Sequence, residues 1–527
     1  MICLRKGKIH CKGKRALLVC IVFFPVVRNL EESSSRFFVC FDLVFHIHLN
    51  TEGRVYGNME RFFKLKELGT NVRTEIMAGL TTFMTMAYIL AVNPNTLSAF
   101  GSGATGGEWY PIFLATALAA GIFTILMGLF VNFPVALAPG MGLNAYFASV
   151  ILSSSATGKP ITFEIALTAV FISGLIFILL TITKIRQMLL VAMPDSLKHA
   201  ITVGIGLFIA IIGLKNSGLL TVGVESVSDI SKGKFTDVAF FETIFHMGSL
   251  ENHNVQLVLI GLVIISVLMV LRVKGAILFG ILGTTLIGII FGSTYVPTTI
   301  NTDVTPWMPD LSQVAFANFD WDGVMQTGLI SIVVTFTFVE LFDTFGTLVG
   351  TANRAGLMKD PVEGNKRVGK AMLVDAVAVS GGALLGTSTT TAYVESAAGV
   401  AEGGRTGLTA VSTGVLFLLS LFLAPLVNLI PGSATAAALI IVGLLMLQSI
   451  KNIDFEDYTI AIPSYLTIIL MPFTYNIANG ISFGIVTYVV LAGLANAFGK
   501  GKHKVHWLMW ILAILVVARY AFIGSQG

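Results

Sequence analysis

Two stretches decide how this chain is read: Phe133-Pro-Val-Ala-Leu-Ala-Pro-Gly-Met-Gly-Leu-Asn-Ala-Tyr, ending at residue 146, and Gly386-Thr-Ser-Thr-Thr-Thr-Ala-Tyr-Val-Glu-Ser, ending at residue 396. Each lies inside a series of long apolar runs, yet each is a poor helix. Pro139 with Gly140 and Gly142 disfavours helix in the first, and the β-branched run Thr387 to Thr391, broken only by Ser388, disfavours it in the second. Each therefore reads as an extended piece leading into a half-helix. Non-helical backbone at membrane depth survives only where it is buried in protein or lines a wet cavity. Two matched interruptions of this kind point to a transport site, because they aim free N–H groups and a helix N-terminus at the bilayer midplane.

The surrounding composition places these segments in a membrane. Of 527 residues 55% are hydrophobic and only 12% are charged, which excludes a water-soluble globule. A crossing uses roughly 20 apolar residues. Runs bounded by Gly, Pro and charge place seven crossings near 74–92, 111–131, 134–150, 161–183, 197–214, 255–273 and 275–293. Seven more follow near 326–349, 367–386, 388–403, 407–428, 434–450, 457–474 and 480–498. The predicted fold class is an all-α polytopic membrane protein of fourteen helices, with short extended strands in the third and tenth. A last apolar run, 506–522, is either a further crossing or an interfacial helix. An odd number of crossings per half inverts the second half relative to the first, as in inverted-repeat transporters. Met193-Pro-Asp-Ser and Ile430-Pro-Gly-Ser, each followed by an apolar helix, support that 7+7 repeat.

Charge sets the expected orientation. With a cytoplasmic start to the body, only Lys159, Lys215, Lys232 and Lys234 fall in outer loops, leaving Arg519 aside. The loop from Asn353 to Lys370 is basic, whereas that from Phe291 to Met325 carries aspartates and no base. The net charge of +4 comes from residues 1–58, since the body is nearly neutral, and nucleic acid is not an expected partner. All four cysteines (Cys3, Cys11, Cys20, Cys40) lie in that opening stretch, so the body can hold no disulfide framework or thiolate metal site. Residues 1–58 are expected to be an upstream extension, non-native or disordered, with Met59 as the start, rather than a signal-like segment or presequence.

Carboxylates inside the spans are few: Glu340 and Asp343 in the eighth crossing, Asp375 in the ninth, Glu395 and Glu402 in the tenth. Each charged group at helix centre costs about 2.5–3.5 kcal/mol on insertion scales, so these acids must be paired, hydrated or protonated. Glu340 and Asp343 share a helical face. Burial and mutual repulsion favour a held proton in such a cluster, which suits proton coupling; the plainer alternative is neutral acids bonded to Thr hydroxyls and backbone. That alternative weighs most for Asp375, and Glu402 is expected to pair with Arg405. All eight histidines fall in loops, at span ends or in the opening stretch. There is no Walker loop, His-Glu-x-x-His or Gly-x-Ser-x-Gly, so neither ATP-driven transport nor an enzyme is expected, and no cofactor or metal.

Four motifs in order then carry a resemblance: Leu68-Gly-Thr-Asn with Glu75-Ile-Met-Ala-Gly-Leu-Thr-Thr-Phe, Pro139-Gly-Met-Gly-Leu-Asn-Ala-Tyr, Glu340-Leu-Phe-Asp, and Thr389-Thr-Thr-Ala-Tyr-Val-Glu-Ser. From about Met59 onward the chain resembles the AzgA-like purine permeases, a branch of the nucleobase/cation symporters related to the bacterial uracil transporters. The resemblance implies a core domain and a gate domain, with strands of the third and tenth helices meeting at the substrate. On that scheme 59–196 and 326–430 form the core, 197–325 and 431–500 the gate, and 501–527 a C-terminal hydrophobic segment. It implies that Glu340 binds the base, that Asp343 couples the proton, that Glu395 faces the substrate and that Asn144 takes part in recognition. Ser396 stands where the uracil and xanthine branches carry Asn, which argues against those substrates. Homodimers are expected from the resemblance alone.

The residues suit such a substrate on their own terms. A purine offers ring N–H donors to Glu340 and Glu395, and its acceptors can meet Asn144 and backbone N–H groups near Ala392 and Tyr393. The expected function is import of hypoxanthine, guanine or adenine across the plasma membrane by proton symport. The nearest rivals are an anion transporter, or a uracil or xanthine permease, of the same fold.

Overall fold

The computed structural model describes residues 2–5, 8–11, 59–99, 105–154, 161–183, 192–222, 245–291, 305–327, 361–499 and 504–522, with scattered positions in 185–188 and 332–358. Asp343 and most of the eighth predicted crossing lie outside the described residues. Within 1–58 an antiparallel hairpin pairs β1 (Ile2–Arg5) with β2 (Lys8–Cys11).

The first predicted crossing is two helices, α1 (Val72–Met86) and α2 (Ile89–Leu97), broken at Ala87–Tyr88. Asn71 caps α1 by accepting from the Thr74 N–H. Pro94 lies inside α2, six residues after Tyr88. The second crossing is α3 (Trp109–Leu126), ending in a π-helical turn, Met127–Val131, with Asn132 left-handed at φ 56°. Asn tolerates that backbone, and its side chain then bonds outward, donating to Phe63 O and accepting from Gly407 N–H. Strand β3 (Leu137–Pro139) follows, then α4 (Met141–Ser154), α5 (Phe163–Ile182) and α6 (Asp195–Asn216). Beyond a short hairpin of β4 (Leu220–Val222) and β5 (Phe245–Met247) come α7 (His253–Val270), α8 (Ala276–Ile290) and the short α9 (Trp321–Thr327).

The rest of the chain continues beyond α9. It contains α10 (Pro361–Leu385), strand β6 (Thr390–Ala392), the six-residue α11 (Ser396–Ala401) and α12 (Gly407–Leu419). Then come α13 (Gly432–Leu447), α14 (Tyr458–Phe473) and α15 (Ile477–Ala497), and finally α16 (Trp507–Phe522), which packs on α15. Among the described residues nine helices are long and apolar enough to cross a membrane, and α8, α14 and α16 are shorter apolar helices.

Packing divides along two lines. Around the strands, α3 packs on α12 and α5 on α10, with α1 laid across α11 and α12. Elsewhere α6 packs on α13 and α14, α7 on α8, and α14 on α15. The α6–α13 contact is a close approach of glycines: a Cβ on Gly206 would lie 2.8 Å from Gly443 O, and one on Gly443 would lie 2.5 Å from Gly206 O. Small residues allow this approach where apolar burial gives no drive, because lipid is as apolar as the helix face.

Candidate functional site

The two broken segments meet. β3 and β6 pair antiparallel, with Leu137 opposite Ala392, Ala138 opposite Thr391 and Pro139 opposite Thr390. The ladder continues at both ends, where Gly140 N–H donates to Thr389 O (2.9 Å) and Tyr393 N–H to Ala136 O (3.0 Å). Such short strands at membrane depth leave backbone groups that only side chains can satisfy, and each half supplies one. Thr124 of α3 brackets Leu137, accepting from its N–H (2.8 Å) and donating to its carbonyl (2.9 Å). Asp375 of α10 accepts from Ala392 N–H (3.1 Å) and from the Thr391 hydroxyl (3.2 Å). Asp375 is fully buried and braces the strand.

The threonine run is anchored in the same way. Asn93 donates to Thr116 (2.7 Å) and to Thr387 (2.9 Å), tying α2, α3 and the start of the run together. Thr391 also shares a bond with Thr344 (2.8 Å), whose hydroxyl reaches Glu340 Oε1 at 3.4 Å. Glu340 is completely buried beside β6. Asn144, in the first turn of α4, accepts from the Ser388 hydroxyl and donates to Pro139 O at 3.4 Å. Glu340, through Thr344, and Asn144, through Pro139 and Ser388, thus reach the strand pair and its end, and Glu395 follows β6 by three residues.

Other predicted contacts serve the scaffold. The Ala392 and Tyr393 N–H groups are engaged by Asp375 and Ala136, the Tyr393 hydroxyl donates to Pro139 O (2.5 Å), and Ser396 Oγ accepts from Ala136 N–H (3.0 Å). These groups hold the ladder in this geometry. Phe336 is buried edge-to-face against Tyr146, with centroids 5.1 Å apart. Glu402 does not pair with Arg405 as expected. It forms an ion pair with Lys274 (2.7 Å), while the Arg405 guanidinium donates to the Val400 and Gly404 carbonyls. The short α11 ends at Glu402, which sets its carboxylate beside the α7–α8 turn.

Two functional-looking residues escaped the sequence reading. Tyr88, at the break between α1 and α2, donates to Glu395 Oε1 at 2.6 Å. Glu75, fully buried, accepts from the Arg405, Thr406 and Thr409 N–H groups and from both threonine hydroxyls, capping the start of α12. A carboxylate suits a helix N-terminus, where free N–H groups and the helix dipole both favour it. A tyrosine or glutamate within a span is itself a signal that a partner must exist, but the sequence does not name that partner.

A cavity of about 400 Å³ opens between α1, α11, the α7–α8 turn and α13. Thr81, Thr85, Glu395, Ala398 and Leu445 line it, with Arg272, Lys274 and Glu402 at one end. Glu395 is the partly exposed acid of the group, and it faces this space.

The profile of the Permease family matches residues 73–483. The chain belongs to that family. It is 42% identical over 472 residues to the guanine/hypoxanthine permease PbuG of Bacillus subtilis, covering 88% of this chain and all of that one. It is 38% identical over 482 residues to the adenine permease AdeP of Escherichia coli, covering 91% and 100% respectively. Among solved structures, the transmembrane domain of the cyanobacterial bicarbonate transporter BicA superposes with a TM-score of 0.54 at 17% identity, covering 80% of this chain and 97% of that domain. At that identity the likeness speaks for the fold alone. The purine-permease branch indicated by the four motifs is the one to which these relatives belong, and the chain is a multi-pass membrane transporter.

Proposed function

We propose that this permease imports purine nucleobases, namely hypoxanthine, guanine or adenine, across the plasma membrane together with a proton. The observation that carries the reading is the convergence of two carboxylates, Glu340 and Glu395, and one amide, Asn144, on the paired strands, with Glu395 opening to a cavity. Carboxylates accept from ring N–H groups and the amide serves either role, so a neutral heterocycle is matched edge by edge. Relatives named for guanine, hypoxanthine and adenine permeases support the substrate class.

The wider scheme is a core of 59–196 and 326–430 working against a gate of 197–325 and 431–500. The reciprocal packing of α3 on α12 and α5 on α10, together with the matched braces Thr124 and Asp375, supports an inverted repeat of seven crossings each. With basic loops inside, the cavity faces the cytoplasm and the Lys274 end is its mouth. Asp343, three residues after Glu340 in sequence, takes the proton outside and releases it inside, and its neutral form lets the loaded core move at low cost. An anion carrier shares the fold, but acids at the strand pair suit a neutral base with N–H donors better.

The test is radiolabelled hypoxanthine uptake in a strain lacking its own purine permeases, competed by purines and pyrimidines, with and without a protonophore. Purines are expected to compete and pyrimidines not to, and the protonophore to abolish accumulation. Asp343→Asn is expected to remove that sensitivity or all uptake. Uptake competed only by bicarbonate or uracil, or gradient-driven accumulation unchanged in the variant, would overturn the reading.

A further inference from the structure

We propose that Tyr88 is a positioning residue of the purine site, aiming the Glu395 carboxylate at the substrate from the break in the first crossing. The inference rests on the reading of Glu395 given above. Tyr88 is 1% exposed, and its hydroxyl donates to Glu395 Oε1 at 2.6 Å. A hydroxyl donating to this oxygen fixes the direction of the carboxyl group. The two residues are brought together across 307 positions of sequence by a built contact rather than by chance. Gly399 of α11 lies directly on α1, where a Cβ would sit 2.6 Å from Ala78 O and collide with the Thr82 hydroxyl. Only a residue without a Cβ allows α11 this close, and the approach brings Glu395 within reach of the interrupted α1–α2 turn.

The break also fixes the phenol. Ala87 ends α1 by donating to Phe83 O, and α2 restarts with Val92 N–H on Tyr88 O, so the Tyr88 backbone is held at both sides. A glutamate side chain gives up rotamer freedom when it is fixed. A preformed bond to Tyr88 spends that entropy before the substrate arrives, so binding need not. One oxygen of Glu395 is then committed to Tyr88 while the carboxylate borders the cavity. The site meets a purine N–H with an acceptor of set direction. Rigid acceptors of this kind favour a ligand that matches them and reject one that leaves them unpaired.

The experiment measures KM and Vmax of hypoxanthine uptake, normalised to transporter at the cell surface, for wild type, Tyr88→Phe, Glu395→Gln and the double variant. Tyr88→Phe is expected to raise KM about tenfold at unchanged Vmax, the scale of one hydrogen bond. In the Glu395→Gln background the same change is expected to add less than about twofold. Tyr88→His, which retains a donor, is expected to recover part of the affinity. A KM within twofold of wild type for Tyr88→Phe while Glu395→Gln raises it would overturn the positioning role and leave the Glu395 reading intact. An unchanged KM for Glu395→Gln would sink that reading and this inference with it. Equal rises from Tyr88→Phe in both backgrounds, or a lowered melting temperature of the purified variant with KM unchanged, would mark Tyr88 as structural only and overturn the proposal.

Discussion

The helices around the strand pair and the group of α6, α13 and α14 both use close glycine contacts, Gly121 with Gly414 in the first and Gly206 with Gly443 in the second, but they differ in buried polar bonding. The first group is threaded by buried polar bonds. Glu75 reaches α12, Asn93 joins Thr116 to Thr387, Thr124 and Asp375 brace the strands, and Ser396 takes the Ala136 N–H. The second group meets through close backbone contact: Gly206 against Gly443, Gly213 with its Cβ position 2.9 Å from Ala436 O, and Gly204 near Thr467 O. A directional network is satisfied in one arrangement and costs heavily in any other, whereas a smooth small-residue face restricts register far less. In the core-and-gate scheme proposed above, the first group belongs to the core, and its bonded network holds that part in one shape around the cargo.

Three substitutions probe the contrast, in falling order of effect. Glu75→Ala removes the acceptor for five donors at the start of α12. Unpaired buried donors cost about 1–3 kcal/mol each, partly relieved by relaxation, so a net loss of about 3–5 kcal/mol and a large fall in apparent melting temperature in detergent are expected. Gly206→Val sets a side chain against Gly443 O and Met446. Overpacking of this order costs about 1–3 kcal/mol, and transport rate is expected to fall further than substrate affinity in a proteoliposome assay. If Gly206→Val instead destabilises as much as Glu75→Ala, the two groups do not differ as described. The smallest effect is expected from exchanging Lys274 and Glu402, a half-exposed pair at the cavity rim. The exchange should leave stability within about 1 kcal/mol, while either single charge reversal slows uptake and the double exchange restores it.

Much of this was legible in the sequence because bilayer thickness and backbone satisfaction leave few solutions. The apolar run at 161–183 became α5 (Phe163–Ile182), and that at 480–498 became α15 (Ile477–Ala497). Pro139 and the threonine run marked the two places where helix fails, and those places pair. What stayed hidden was partner choice. The Glu402 carboxylate sits three residues from Arg405 in sequence, yet α11 ends after six residues and turns it toward Lys274, a loop away in the other half. Asp375, one of the acids for which bonding to hydroxyl and backbone is the plainer alternative, accepts from the Ala392 N–H and from the Thr391 hydroxyl, which also bonds Thr344. The expected ligand contacts Ala392, Tyr393 and Ser396 are engaged within the ladder in this structure. Tyr88 and Glu75 act across more than 300 positions, a separation that no local pattern encodes.

The ladder joins residues made at very different times. The Tyr393 hydroxyl and the Pro139 carbonyl it meets are 254 residues apart, and at about 5–20 residues per second the ribosome takes roughly 13–50 s to supply the later strand. Throughout that interval Leu137–Pro139 lacks the strand it pairs with in the finished protein. Biogenesis must shelter it, in the insertion machinery or against provisional neighbours, until the second half arrives to close the seam.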